Sequence, residues 1–188
     1  RQNLQLNQAM DRLRAAQKQL AAKNRELATL SEIDALTQLY NRRKIDQIMD
    51  ESTKQASQQM QPLALALLDI DLFKSFNDQY GHQVGDKIIR EVADLLRRTA
   101  RGNDSIGRWG GEEFLVVSPE TGPEAAAALS ERLRSAIEAH DFLTGHRVTS
   151  SIGVANFRPG DDTESLLKRA DDALYRSKAT GRNRVTLT

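Results

Sequence analysis

Leucines recur every seven residues at Leu6, Leu13, Leu20 and Leu27, in a stretch with no Pro before Pro62 and no Gly before Gly81. That period marks a coiled-coil seam, and residues 1–31 are rich in the good helix formers Gln, Ala, Leu, Lys and Arg. The seam is flawed in either register. With the leucines at d, the a positions are Asn3, Met10, Gln17 and Asn24; with the leucines at a, the d positions are Ala9, Ala16, Lys23 and Leu30. Polar and small layers weaken association while narrowing the choice of partner. The pattern predicts a weak dimer stalk about 45 Å long. A single amphipathic helix packed on its own domain is the plainer alternative.

Past residue 31 the period switches repeatedly. A helix is predicted over 42–58. Leu63 to Ile70 (LALALLDI) is an unbroken apolar run, which predicts a strand buried on both faces. Helices follow over 73–78 and 84–99. Two short strands, 105–109 and 113–117, flank the pair Gly110–Gly111, a hairpin signal. The Ala-rich residues 123–140 form a helix with Pro123 at its start. A strand over 148–157, a helix over 162–179 ended by Gly181, and a last strand over 184–187 complete the chain. The order β-α-α-β-β-α-β-α-β predicts an α+β, ferredoxin-like plait with a mainly antiparallel sheet flanked by helices. The domain boundary falls at 1–31 and 32–188.

Composition narrows the class. The chain has 188 residues, with 27 Lys plus Arg against 26 Asp plus Glu, a net charge of +1. Near-neutrality argues against a nucleic-acid coat, which needs a positive excess to displace counterions. Cys is absent, and the three His are scattered at 82, 140 and 146. A disulfide framework, a thiolate site and a zinc centre are therefore unexpected. No run reaches the roughly 20 apolar residues that span a bilayer. These features predict a cytoplasmic domain. The chain begins with Arg1, which suggests a fragment whose missing upstream part could carry a membrane or sensor segment.

The candidate chemistry begins at the end of the apolar strand. Asp69 and Asp71 are two apart and would share a face. A carboxylate at the end of a buried run needs a partner, and a hard cation such as Mg²⁺ provides one. The chain then turns into Leu72-Phe73-Lys74, a helix start whose free amides and added charge suit phosphate. An Asp that merely caps a helix explains the same residues. The hairpin, Arg-Trp-Gly-Gly-Glu-Glu-Phe over 108–114, brings Glu112 and Glu113 to an apolar strand. If that strand lies beside the Asp69 strand, either glutamate can meet Asp69 over one cation.

The string GGEEF resembles the signature of the GGDEF family of diguanylate cyclases. Other segments agree in order. Asp34-Ala-Leu-Thr-Gln-Leu-Tyr-Asn-Arg-Arg43 is similar to the family's opening motif, with Gln38 where Gly is usual. Asp69–Lys74, Asn77-Asp78, Gly81-His82, Gly85-Asp86, Ala170–Tyr175 and Gly181–Val185 resemble its remaining landmarks, so the likeness covers about residues 31–188. The resemblance implies a polymerase-palm-like fold and condensation of two GTP into cyclic di-GMP with loss of two pyrophosphates. It implies Mg²⁺ or Mn²⁺ on Asp69, the Ile70 carbonyl and Glu112, with Glu113 either a further ligand or the group that removes the 3′-hydroxyl proton. By the same resemblance Asn77 and Asp86 read guanine, and Phe73, Lys74, Lys178 and Arg182 hold the rest of GTP. Lys178 and Arg182 are four apart, the spacing of one helix face. A solvated basic helix end is the plainer alternative for that pair.

Arg101-Gly-Asn-Asp104 reads RxxD, with five residues between Asp104 and Gly110. In the family this offset marks an inhibitory site for the product, cyclic di-GMP. One GTP per domain implies two chains face to face, so the stalk acquires a role in a homodimer. A regulatory protein or an upstream sensor domain acting on the stalk is compatible with its weak seam. Two other readings stand beside the cyclase: a catalytically silent module that binds GTP or cyclic di-GMP, and a structural coiled-coil adaptor.

Overall fold

A computed structural model describes residues 10, 14, 17–19 and 32–188. The predicted stalk, residues 1–31, lies almost wholly outside the described residues; the five described there are helical. The chain divides into two compact units, Arg1–Glu32 and Ile33–Thr188. The second unit holds every strand of the sheet.

Its elements are α1 (Arg42–Gln59), β1 (Leu63–Ile70), α2 (Phe73–Tyr80), α3 (His82–Thr99), β2 (Ser105–Gly110), β3 (Glu113–Pro119), α4 (Pro123–Glu138), β4 (Ser150–Asn156), α5 (Thr163–Ala179) and β5 (Val185–Leu187). They follow the predicted order, and the strands form one sheet in the order β2-β3-β1-β4-β5. β1 pairs antiparallel with β3 and β4, β2 pairs antiparallel with β3, and only β4–β5 is parallel. The mainly antiparallel plait is therefore present.

Alternation along β1 divides the core in two. Ala64, Ala66, Leu68 and Ile70 pack with Ile88, Val92 and Leu96 of α3 and Leu129, Leu133 and Ile137 of α4. Leu63, Leu65 and Leu67 pack on the other face with Ile45 and Met49 of α1 and Leu166, Ala170 and Leu174 of α5. Every residue of β1 is buried, which explains why its sequence is apolar throughout rather than alternating.

Contact between α5 and β4 depends on Gly153. A Cβ there would lie 2.1 Å from the Ala170 carbonyl oxygen and 2.1 Å from the Leu174 nitrogen. Only glycine lets the helix backbone come this close. At its start α5 has a reciprocal cap: Asp162 accepts from the Ser165 amide, and the Ser165 hydroxyl meets the Asp162 amide.

The sheet's outer strands are short or covered. Tyr40 forms a bridge to Gly107 of β2, and its amide and carbonyl bond Ile106 and Arg108. β5, on the opposite side, has three residues.

Candidate functional site

The end of β1 sits beside the tip of the β2–β3 hairpin. Asp69 is directly opposite Glu113 in the ladder, and the Ile70 amide donates to the Glu112 carbonyl at 3.3 Å. Glu113 opens β3, whereas Glu112 belongs to the turn. Asp69 is 7% exposed. Burial pushes its carboxyl up to about 6; the Lys178 ammonium opposes this, and the negative charges of Glu112 and Glu113 reinforce it. Asp69 thus feels both hairpin carboxylates at once.

Lys178 Nζ lies 2.7 Å from Asp69 Oδ2. The odd-numbered face of β1 looks toward α5, so Asp69 points at the helix that carries Lys178. The predicted basic phosphate ligand is here the counter-ion of a predicted metal ligand. Among the described residues no three Asp, Glu or His side chains form a ready-made cation cage.

Asp71 keeps the face of Asp69, as the spacing predicts: Ser151, directly opposite Asp69 in the β1–β4 ladder, also donates to Asp71. The ladder runs one residue past Ile70, the Asp71 amide donating to the Thr149 carbonyl at 2.9 Å, and the left-handed Leu72, φ 58°, turns the chain only after Asp71. Asp71 accepts from Thr149 Oγ1 at 2.8 Å, Ser151 Oγ at 2.6 Å and the Asn183 amide at 3.0 Å, so its carboxylate is engaged in structural hydrogen bonds. It thereby ties the turn that carries Arg182 to the start of α2. Lys178 and Arg182, by contrast, do not share a helical face. α5 ends at Ala179, Gly181, Arg182 and Asn183 all have positive φ, and the Arg182 amide returns to the Ser177 carbonyl at 2.9 Å. Lys74 and Arg182 are both exposed. α2 begins without a side-chain cap, which leaves amides at its start available to an anion.

The predicted base-reading residues meet where α2 packs on α3. Asn77 Oδ1 is buried with no hydrogen-bond partner. Such a group is costly unless a ligand satisfies it. Phe73 is buried and Asp86 half-buried. Gly85 is needed for the approach: a Cβ there would fall 1.9 Å from Asn77 Oδ1 and 3.0 Å from Phe73 Cζ.

Two arginines outside the predicted set grip the hairpin. Arg108 donates from Nε and Nη2 to the Gly111 carbonyl at 3.0 and 2.9 Å, and its Nη1 reaches Asp34 at 3.4 Å. At Asp34 burial opposes ionisation, but the hydrogen bonds from Thr37 and the Arg108 charge outweigh it and hold the carboxyl below its usual range. Arg42 Cζ lies 3.8 Å from the Trp109 ring centroid, and Arg42 Nη1 donates to the Trp109 carbonyl at 3.1 Å. Both arginines stand in segments that resemble the family's motifs. No spacing rule links residues 67 positions apart, which is why the sequence pattern gives no sign of the Arg42 grip.

Gln38 stands where the family motif has Gly, and it has a φ of 57°. Its side chain donates to the Ala35 carbonyl at 3.1 Å, so a local bond helps hold a left-handed backbone that favours glycine. Gln38 also lines a cavity of about 360 Å³ together with Tyr40, Arg97, Arg101 and Asp104. There the Arg101 amide donates to Asp104 Oδ2 at 2.7 Å, closing the RxxD turn on itself. Arg97, which no sequence motif singles out, comes from the last turn of α3 and pairs with Asp94 at 2.5 Å.

Comparisons with known proteins give the family. The family described as "Diguanylate cyclase, GGDEF domain" matches residues 31–184. The chain is 42% identical over 162 residues to Response regulator PleD of Caulobacter vibrioides, covering 83% of this chain and 36% of that one. It is similar to the crystal structure of the coiled coil and GGDEF domain of DgcB from Caulobacter crescentus in complex with c-di-GMP. That likeness has a TM-score of 0.81 at 34% identity, over 97% of this chain and 99% of that one. Diguanylate cyclase SiaD, in complex with its activator SiaC from Pseudomonas aeruginosa, is similar with a TM-score of 0.81 at 33% identity, over 100% of this chain and 77% of that one. The chain spans 36–37% of the length of the first curated relatives that it matches. Among the described residues no helix is long and apolar enough to cross a membrane.

Proposed function

The chain belongs to the GGDEF family of diguanylate cyclases, and from that premise we propose that it condenses two GTP into cyclic di-GMP with release of two pyrophosphates. The observation that carries this reading is the buried Asp69 carboxylate facing Glu113 across β1 and β3, with Glu112 close enough to raise its proton affinity. An adaptor or a silent module has no use for that arrangement.

In the proposed reaction each 3′-hydroxyl attacks the α-phosphorus of the opposite GTP. The bond to pyrophosphate breaks and the hydroxyl proton leaves. Asp69, Glu112 and the Ile70 carbonyl would hold Mg²⁺ or Mn²⁺. When bound, the ion lowers the pKa of the attacking hydroxyl and neutralises charge on the departing pyrophosphate. Glu113 serves as a further ligand or accepts the proton. Lys74, Arg182 and the amides at the start of α2 hold the triphosphate. Lys178 neutralises Asp69 before substrate arrives and turns to phosphate afterwards. Asn77 and Asp86 select guanine, because its N1–H and N2–H₂ edge supplies the donors that Asn77 Oδ1 and the Asp86 carboxylate lack. Phe73 packs beneath that base site.

Each domain provides half of the reaction centre. Residues 32–188 form the catalytic domain, and residues 1–31 form a stalk that holds two copies in orientation. Binding of c-di-GMP by the DgcB domain and of an activator by SiaD supports product binding at Arg101 and Asp104 and a regulator acting on the stalk. A GTP substrate favours a cytoplasmic reaction.

Incubation with GTP and Mg²⁺ followed by chromatography tests the activity. Cyclic di-GMP is expected, and its loss is expected in Asp69→Ala and Glu112→Ala; absence of product from the wild-type chain at high concentration refutes the reading. Arg101→Ala is expected to keep the initial rate and prolong synthesis as product accumulates. Late-time inhibition equal to wild type would remove the inhibitory site from the proposal.

A further inference from the structure

The β2–β3 ladder pairs Arg108 with Phe114 and Gly110 with Glu113, so its register shifts at Trp109. A residue skipped in this way forms a bulge, and bulges re-aim the chain beyond them. Here that chain is Gly110-Gly111-Glu112-Glu113. Two glycines in succession give the backbone wide freedom and no side chain with which to fix it. Something outside the ladder must set the direction in which the two glutamates point.

Arg42 is placed to do this. Its guanidinium lies over the Trp109 ring at 3.8 Å, and Nη1 donates to the carbonyl of the same residue at 3.1 Å. One side chain therefore fixes both the ring and the peptide plane of the bulged residue. The base of this clamp is firm. Arg42 is the first residue of α1, whose start is fixed by Asn41 accepting from the Lys44 amide at 2.9 Å. α1 is pressed onto β2, since a Cβ on Gly107 would lie 2.5 Å from Ile45 Cβ. On the far side of the glycines, Arg108 donates twice to the Gly111 carbonyl. The hairpin tip is thus held at both shoulders.

We propose that Arg42 is a positioning residue for the reaction: by clamping Trp109 it aims Glu112 and Glu113 at the Asp69 site. This rests on the cyclase reading and adds a residue that touches neither substrate nor metal. Lysine is a poor replacement, because an ammonium offers no flat face to lie on the indole while a second nitrogen bonds the carbonyl.

The test compares Arg42→Lys, Trp109→Ala and Asp46→Asn in the full chain. Both clamp variants are expected to lose kcat by about tenfold and to need several-fold more Mg²⁺ for half-maximal rate, with KM for GTP within about twofold. Asp46→Asn removes only the helix ion pair of Arg42, 3.6 Å long, and is expected to match wild type. Trp109 is the chain's one tryptophan, so its emission reports the clamp directly. In wild type Mn²⁺ alone is expected to quench it, and Arg42→Lys is expected to need more Mn²⁺ for the same quenching. Wild-type kcat and wild-type Mg²⁺ demand in either clamp variant overturn the proposal. So does a fall in kcat with the metal demand unchanged. If the wild-type chain makes no cyclic dinucleotide, the cyclase reading fails by itself, and equal Mn²⁺ quenching curves would then reject the clamp separately.

Discussion

Glu138 receives three donors at the end of α4: Arg134 Nη1 at 2.6 Å, Asn183 Nδ2 at 2.8 Å and Arg147 Nη2 at 3.0 Å. The Arg134 bond, then that of Asn183, lowers its carboxyl to about 2. A carboxylate depressed in the fold contributes stability above its unfolded pKa near 4.5 and loses it as pH falls through about 2. Glu138→Gln should therefore melt below wild type at pH 7, and the two should converge toward pH 2. Denaturant titrations at pH 7, 4 and 2.5 measure this, and a gap unchanged across that range contradicts it. The same residue links stability to the site. Asn183 gives its side-chain amide to Glu138 and its backbone amide to Asp71. That pair of bonds sets the turn on which Arg182 stands, although neither partner bears on chemistry directly.

At the scale of elements, the close seat of α5 on Gly153 makes the sharpest claim. Gly153→Ala is expected to cost about 3 kcal/mol or more, because the new methyl meets helix backbone rather than a movable side chain. Lys178 rides on that helix, so activity should fall even at temperatures where the variant stays folded. A variant that melts within a degree of wild type would show that the helix can shift freely. Much of this level could be read in advance. The unbroken apolar run of β1 announced a strand covered on both faces, and alternation along it correctly turned Asp69 toward one layer. The same alternation put Asp71 on that face, beside the Ser151 that is paired with Asp69. The turn after Asp71 was not legible: it depends on a left-handed Leu72, and leucine carries no sign of that conformation, unlike the glycine that follows α5. The contacts of Lys178 with Asp69 and of Arg42 with Trp109 join distant segments, and they exist only once α5 and α1 have docked. The landmark motifs singled out the candidate residues, whereas their pairings had to come from packing.

For the whole molecule, the proposed reaction needs two chains for one product. The initial rate per chain should therefore fall on dilution. Removing residues 1–31 should shift that fall to concentrations about 10²-fold higher, the usual gain from a tether. Rate against enzyme concentration for the two forms decides it, and superimposable curves would take the stalk out of the mechanism.

The sheet's borders matter to the same requirement. A bare β edge offers a row of amides and carbonyls to any other chain, its own twin included. One border here is interrupted by Tyr40, which bridges the middle of β2, and the other is cut to three residues in β5. If two copies do face each other as proposed, borders with little free edge keep them from zipping together strand to strand. The pairing is then left to the surfaces that carry nucleotide.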